Sequence, residues 1–279
     1  MPKKIVLSHE TVALVTSKDP ELLSPETKGH REVSWEFKRL SPITKVKIPA
    51  RLDTIETYQF MGFTEQVAMQ LLESQHETQT PQDVARAWVI AKCNRIEDIQ
   101  DDWGKAMMDA GINENIRTAL LKPEHALVLY TQSLKAWLVE IIDTYYETLV
   151  DLEANILLKL SSEPIAQLRG GGDDEEPEYT IPQIPGGHLA VFKSVDGRYT
   201  KGCIREDGTV SLGRLESYFN TDFARRGGLY FTHQIWVANA YSRLINDACS
   251  IADRRTVELH VPLSHFRDIK TWELKYGDE

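Results

Sequence analysis

The amino-acid sequence predicts an α+β protein, with a mainly helical N-terminal region over residues 1–168 followed by a small mixed β-sheet domain over residues 181–279. Three observations predict it. Apolar residues recur at helical spacing from Leu127 to Ile156, and short β-type runs alternate with turns after residue 181. Between them lies Arg169-Gly170-Gly171-Gly172-Asp173-Asp174-Glu175-Glu176-Pro177. Flexible glycines beside a solvated acidic run read as a linker or loop, taken as residues 169–180.

In chain order, Val12-Ala13-Leu14-Val15 and the run from Val33 to Phe37 read as strands, and Pro20, Pro25, Pro42 and Pro49 break up anything longer. Residues 55–73 read as helical, with Gly62 marking a helix boundary. Thr80-Pro81-Gln82-Asp83 supplies an N-cap, a proline at the first helical position and an acid in the first turn, so a helix is expected through Trp88 and Ile96. After Pro123 the spacing of Leu127, Tyr130, Leu134, Leu138, Ile141, Tyr145, Leu149, Leu152 and Ile156 predicts one continuous helix of about 45 Å. No internal repeat is read.

The C-terminal region is expected to begin with a strand at Leu189-Ala190-Val191-Phe192. A turn at Asp196-Gly197 and a polar loop at Glu206-Asp207-Gly208 follow, then a strand at Leu229-Tyr230-Phe231 and a helix from Trp236 to about Ala252. A final strand runs from Thr256 to Val261, where Val257, Leu259 and Val261 alternate with Glu258 and His260 and Pro262 closes the run.

Composition narrows the function. The chain has 279 residues, enough for a sizeable core and two structural units. Its 42 acidic against 32 basic residues give a formal charge of −10, which argues against nucleic acid or an anionic membrane as a general partner. Cys93, Cys203 and Cys249 are odd in number and widely spaced, as expected of a reducing compartment, so the cytoplasm or nucleus is the default reading and the cytoplasm is taken. Neither a secretion signal nor a membrane-spanning run of about 18 to 20 apolar residues is read.

A phosphate-binding glycine loop, a His-Glu-x-x-His motif and a nucleophile elbow are all missing from the sequence. His260 and His265 lack a third ligand in sequence and read as surface or packing residues, so no metal is expected. Tyr230 and Tyr241 carry more information. A strand bearing the first and a helix bearing the second offer aromatic faces for a flat heterocycle such as nicotinamide, against the plainer reading of two core tyrosines.

Three resemblances attach to these residues. Met61-Gly62-Phe63 with Glu65, Ala68 and Leu71-Leu72 looks like the first helix of a ubiquitin-associated domain, although an ordinary helix start explains it as well. Glu97-Asp98-Ile99-Gln100-Asp101-Asp102 and Asn246-Asp247-Ala248-Cys249-Ser250 resemble the two Mg²⁺-binding signatures of class I terpene synthases. That reading requires residues 170–230 to be helical and meets Arg254 where an acid belongs. The third is the ADP-ribosyltransferase fold, carried by Asp222-Phe223, Gly228-Leu229-Tyr230-Phe231-Thr232 and the Tyr230 to Tyr241 separation over the last third of the chain. Tyr230-Phe231-Thr232, Ala240-Tyr241, Arg254-Arg255 and Val261-Pro262-Leu263-Ser264 also resemble a group of uncharacterised fungal proteins.

The ADP-ribosyltransferase resemblance implies NAD as the bound substrate. Lys193, in Phe192-Lys193-Ser194, stands where the family has Arg or His and would hold a ribose or phosphate as a point charge. Tyr230 and Tyr241 would sandwich nicotinamide, Thr232 would donate a hydroxyl, and Glu258 would be the catalytic acid. In the resembling proteins that acid comes after this strand, so the chain reads as truncated near Tyr276-Gly277-Asp278-Glu279 or as catalytically degenerate. The rival expectation is a non-enzymatic interaction scaffold with a protein partner.

Overall fold

The computed structural model of the protein describes residues 4–18, 20–34, 45–93, 102–162, 183–200, 203, 210–215 and 228–267. These form helices with two two-stranded antiparallel sheets, an α+β architecture. Two compact units emerge, Met1–Glu175 with Arg243–Asp253, and Glu176–Ser242 with Arg254–Glu279. Residues 243–253, placed by sequence in the C-terminal region, therefore belong to the first unit. Leu244, Ile245, Ala248 and Cys249 are buried, and Tyr145 donates its hydroxyl to the Ala248 carbonyl at 3.3 Å.

The first unit opens with α1 (His9–Lys18), where strand was expected at Val12 to Val15. Ser8 explains the difference. Its side-chain oxygen accepts from the Thr11 amide at 3.2 Å, and Glu153 receives the Ser8 amide and the Thr11 hydroxyl at 2.7 and 2.8 Å. An N-cap held by a residue distant in sequence thus overrides the β preference of two valines. Strands β1 (His30–Ser34) and β2 (Lys45–Pro49) pair antiparallel, with Val33 opposite Val46. The expected continuation of β1 to Phe37 lies outside the described residues.

Helices α2 (Ile55–Phe60) and α3 (Glu65–Ser74) flank Gly62, as expected. Thr80 and Asp83 cap α4 (Pro81–Cys93) reciprocally, each side chain accepting the other's amide at 3.2 and 3.1 Å. Ile96 and the acidic run from Glu97 to Asp101 lie outside the described residues. Asp102 caps α5 (Trp103–Asp109), and Asn113 caps α6 (Glu114–Leu120). The expected continuous helix after Pro123 is broken. A 3₁₀ turn at Pro123–His125 leads into α7 (Ala126–Leu129), and α8 (Leu134–Ser162) starts only afterwards. Thr131 donates its hydroxyl to the Val128 carbonyl at 2.7 Å, and Ser133 accepts the Ala136 amide at 3.3 Å. These local bonds end one helix and start the next.

The first unit contains two similar helix–loop–helix segments, here called copies, where no internal repeat was expected. Set at an offset of 49 residues, the segments around Gly62 and Gly111 share a few positions. Gly62 matches Gly111, Glu65 matches Glu114, Leu71-Leu72 match Leu120-Leu121, and Ala87-Trp88 match Ala136-Trp137. The backbone repeats too. Phe63 donates to the Tyr58 carbonyl at 3.1 Å, and Ile112 donates to the Met107 carbonyl at 2.9 Å. The two loops then pair through an antiparallel bridge, Phe63 with Ile112. Thr64 donates its amide to the Gly111 carbonyl, and Asn113 donates to the Gly62 carbonyl, both at 2.8 Å. Such reciprocity is the mark of a local two-fold.

Each loop glycine serves the other copy. Both have positive φ, +102° at Gly62 and +72° at Gly111. A Cβ on Gly62 would stand 2.0 Å from Cδ1 of Ile116, and one on Gly111 would stand 2.2 Å from Cγ2 of Val67. Ile116 and Val67 are equivalent positions in the two copies. Met61, Phe63, Ala68 and Leu71, apolar residues of the segment likened to a ubiquitin-associated helix, are buried. Helix α4 packs on α8, and its Trp88 indole donates to the carbonyl of Ala110, the C-cap of α5, at 2.9 Å. Within that packing Asp143 is buried and accepts from Arg86 and from Gln82. Burial pushes the Asp143 carboxyl up, partly opposed by the Arg86 guanidinium.

In the second unit β3 (His188–Asp196) pairs antiparallel with β4 (Arg254–Pro262), so the sheet here is antiparallel where a mixed one was expected. A single turn of helix, α9 (Gly197–Thr200), stands where a turn at Asp196-Gly197 was expected, and α10 (Ile235–Ala248), whose residues from Arg243 onward belong to the first unit, ends four residues before Ala252. The polar loop at Glu206 to Gly208 lies outside the described residues. Val195, Cys203 and Leu215 form the local core, with Phe231, Val257 and Leu259 packed against it.

Gly62→Ala is expected to destabilise the protein by about 3 to 4 kcal/mol in urea unfolding, since it adds an overpacked methyl to a strained φ. In an Ile116→Val background the added cost should fall to about 2 kcal/mol, the backbone part alone. A Gly62→Ala protein as stable as the parent would show that the loop pairing tolerates a side chain there.

Candidate functional site

The second unit assembles its polar residues around β3. Phe192 is paired on one side with Glu258 of β4. On the other side it exchanges two backbone hydrogen bonds with Thr232, of 2.7 and 2.9 Å. Thr232, Phe192 and Glu258 therefore form one row across three segments, and paired residues share a sheet face. At the usual strand spacing the outer two Cα atoms are about 10 Å apart. The expected strand at Leu229 to Phe231 is thus realised as a bridge at Thr232. The Thr232 hydroxyl also accepts the Gln234 amide at 3.1 Å, which shapes the turn into α10.

The same face continues with Ser194 and Thr256, a ladder pair. The part of α10 up to Ser242 covers them. Ser242 donates to Ser194 at 2.9 Å, and Thr256 donates to the Asn239 side chain at 2.7 Å. Two residues beyond Thr256, Glu258 accepts from or shares a proton with His260, Oε1 to Nε2 being 2.7 Å. Their side chains are 16% and 20% exposed, open enough for a ligand to reach both.

Lys193 leaves β3 on the opposite face, beside Val191 and Val195 and paired with Val257. Its ammonium nevertheless lies 6.0 Å from the centre of the Tyr230 ring. That ring folds over Gly228, where a Cβ would meet the Tyr230 hydroxyl at 3.3 Å. Tyr241 stands half-buried on α10, between buried Ala238 and Leu244 by helical spacing. The five residues nominated from sequence thus fall into Thr232 with Glu258, Lys193 with Tyr230, and Tyr241 on the covering helix.

His260 was set aside in sequence as a surface or packing residue. The signal that finds it is Glu-x-His within an alternating strand, a spacing that places both side chains on one face.

In the first unit, Glu124, His125 and Asp247 bring potential ligand atoms within 4.8 Å of one another. A cation is already supplied by the chain. The Lys122 ammonium is 2.7 Å from Asp247 and 3.9 Å from Glu124, and His125, 1% exposed, meets Asp247 at 3.1 Å through Nε2. Burial raises the Asp247 carboxyl, but the Lys122 and His125 hydrogen bonds and charges outweigh it and hold the group below its ordinary value. Asp247 belongs to the segment that resembles a terpene synthase signature. Strand β3 departs from the all-helical residues 170–230 which that reading needs.

Comparison with protein-family models, curated proteins and solved structures finds no match to this chain. Among the described residues no helix is long and apolar enough to cross a membrane.

Asp247→Asn is expected to cost about 1 to 2 kcal/mol of stability at pH 7, the worth of hydrogen bonds to a charged group. Because the folded-state pKa lies below the unfolded value, this contribution is present above about pH 4 and is lost as pH falls through the folded value. Parent and variant unfolding curves should converge once the pH has fallen through the folded-state value. A gap that persists unchanged at that pH would remove the charge argument.

Proposed function

We propose that the second unit is an ADP-ribosyltransferase-like, NAD-binding module whose chemistry is cleavage of the nicotinamide glycosidic bond. The row formed by Thr232, Phe192 and Glu258 carries this reading. A hydroxyl and a carboxylate flank an aromatic ring on one sheet face, which suits a ribose laid over Phe192 with its hydroxyls bonded at either side. Glu258 would accept the ribose 2′-hydroxyl and stabilise positive charge as the C1′–N bond opens and neutral nicotinamide leaves. Tyr230 and Tyr241 would supply stacking, and the Lys193 ammonium beside Tyr230 charge for a phosphate. A non-enzymatic interaction protein is the second reading, favoured by Met108 and Leu127 of the first unit, 60% and 75% exposed.

Calorimetric titration of NAD⁺ into the purified chain, with nicotinamide release followed in the same sample, tests the proposal. Binding is expected with a Kd between about 10 µM and 1 mM. Tyr230→Ala should weaken it by about tenfold while leaving the fold intact. No heat up to about 1 mM NAD⁺ would overturn the reading and leave the interaction protein ahead.

A further inference from the structure

The imidazole of His260 and the carboxylate of Glu258 form a pair that the NAD reading leaves half used. We infer that His260 is the proton acceptor for the attacking nucleophile, and that this nucleophile is water, so the module works as an NAD glycohydrolase. The inference rests on the proposed function above. The carboxylate of Glu258 has two oxygens. Oε1 is engaged by Nε2 of His260 at 2.7 Å, which leaves Oε2 for the ribose 2′-hydroxyl. With Nε2 protonated and donating to Glu258, Nδ1 is the basic nitrogen. Among the described residues Glu258 is the hydrogen-bond partner of this ring. An imidazole oriented by a carboxylate and 20% exposed is the arrangement by which a side chain takes a proton from a hydroxyl or water near neutral pH.

The step balances without a further reactant. As the C1′–N bond breaks, its electron pair leaves with neutral nicotinamide. Water oxygen bonds to C1′, and its proton passes to Nδ1, giving an imidazolium beside the Glu258 carboxylate. Release of that proton to solvent restores the pair. The products are ADP-ribose, nicotinamide and a proton. The surroundings also favour a small neutral nucleophile over a guanidinium. On this face the other titratable groups near the pair are His188, two positions along β3 from the His260 ladder partner Ala190, and His233, next to Thr232. The groups that α10 directs at the sheet, Asn239 and Ser242, are neutral. The other carboxylate of this face among the described residues, Asp196, is buried at the far end of the ladder, opposite Arg254 and six residues along β3 from Ala190, the ladder partner of His260.

The test compares the full chain with His260→Gln and His260→Asn. NAD⁺ affinity is read by calorimetry and nicotinamide release by chromatography from about pH 5 to 8, the range that brackets an imidazole. Folding is checked by circular dichroism. The parent should show an ascending limb in kcat over this range. Both variants should bind NAD⁺ within about twofold of the parent, release nicotinamide about 10² to 10³ times more slowly, and lose that limb. Added imidazole should restore part of the rate to a folded His260→Ala protein. Equal rates and pH profiles in parent and variants would overturn the role of His260. A parent profile without the limb would do the same even if no variant folds. NAD⁺ binding without any nicotinamide release would overturn the glycohydrolase inference and leave NAD recognition standing, whereas no binding at all would remove both.

Discussion

The exchange of backbone hydrogen bonds between the Gly62 and Gly111 loops is the constraint on which the first unit depends. Each loop gives one amide and receives one, and each buries an apolar residue, Phe63 or Ile112, against the other. Neither half satisfies these groups by itself. A buried amide left without its partner costs about 1 to 3 kcal/mol, so the two copies are held together at their loops before helix packing is considered. The geometry leaves no space for a β-carbon at either loop, because the third helical position of the opposite copy fills it. That same approach brings the Trp88 indole to the carbonyl of Ala110.

A different rule organises the second unit. The two-residue period of β3 and β4 sends Val195, Val257 and Leu259 into a small core and sends Ser194, Thr256, Glu258 and His260 to the other side. Polar side chains on that side are tied to one another and to α10, so their positions follow from hydrogen bonds as well as from the ladder. Lys193, on the core face, is an amphipathic side chain rooted among valines whose long stem carries its charge to Tyr230.

Much of this was legible from short-range signals. Thr80-Pro81-Gln82-Asp83 announced α4 because a capping box is satisfied within four residues, and Gly62 announced a boundary because its φ is a local property. The alternation from Val257 to Val261 gave the strand that carries Glu258. The failures share a cause. At Val12 to Val15 the intrinsic preference of β-branched residues lost to a cap completed by Glu153. The apolar stripe from Leu127 to Ile156 was real, but hydroxyls at Thr131 and Ser133 captured the backbone and divided it. The likeness of the two loop segments was hidden because few positions are identical in both. Even identical residues answer to different neighbours, as His76, exposed, and His125, buried, illustrate.

By itself the sequence determined where chain direction changes and which residues share a face, since turn chemistry, caps and periodicity act over a few residues. It therefore established the α+β class, the helices at Gly62 and Pro81, and the strands that carry Lys193 and Glu258. Tertiary structure alone decided that two distant loops complete each other, that Asp247 is held by Lys122 and His125, and that Thr232 and Glu258 fall in one row on either side of Phe192. Those are pairings between segments far apart in the chain, and their energy comes from partners that no local pattern names.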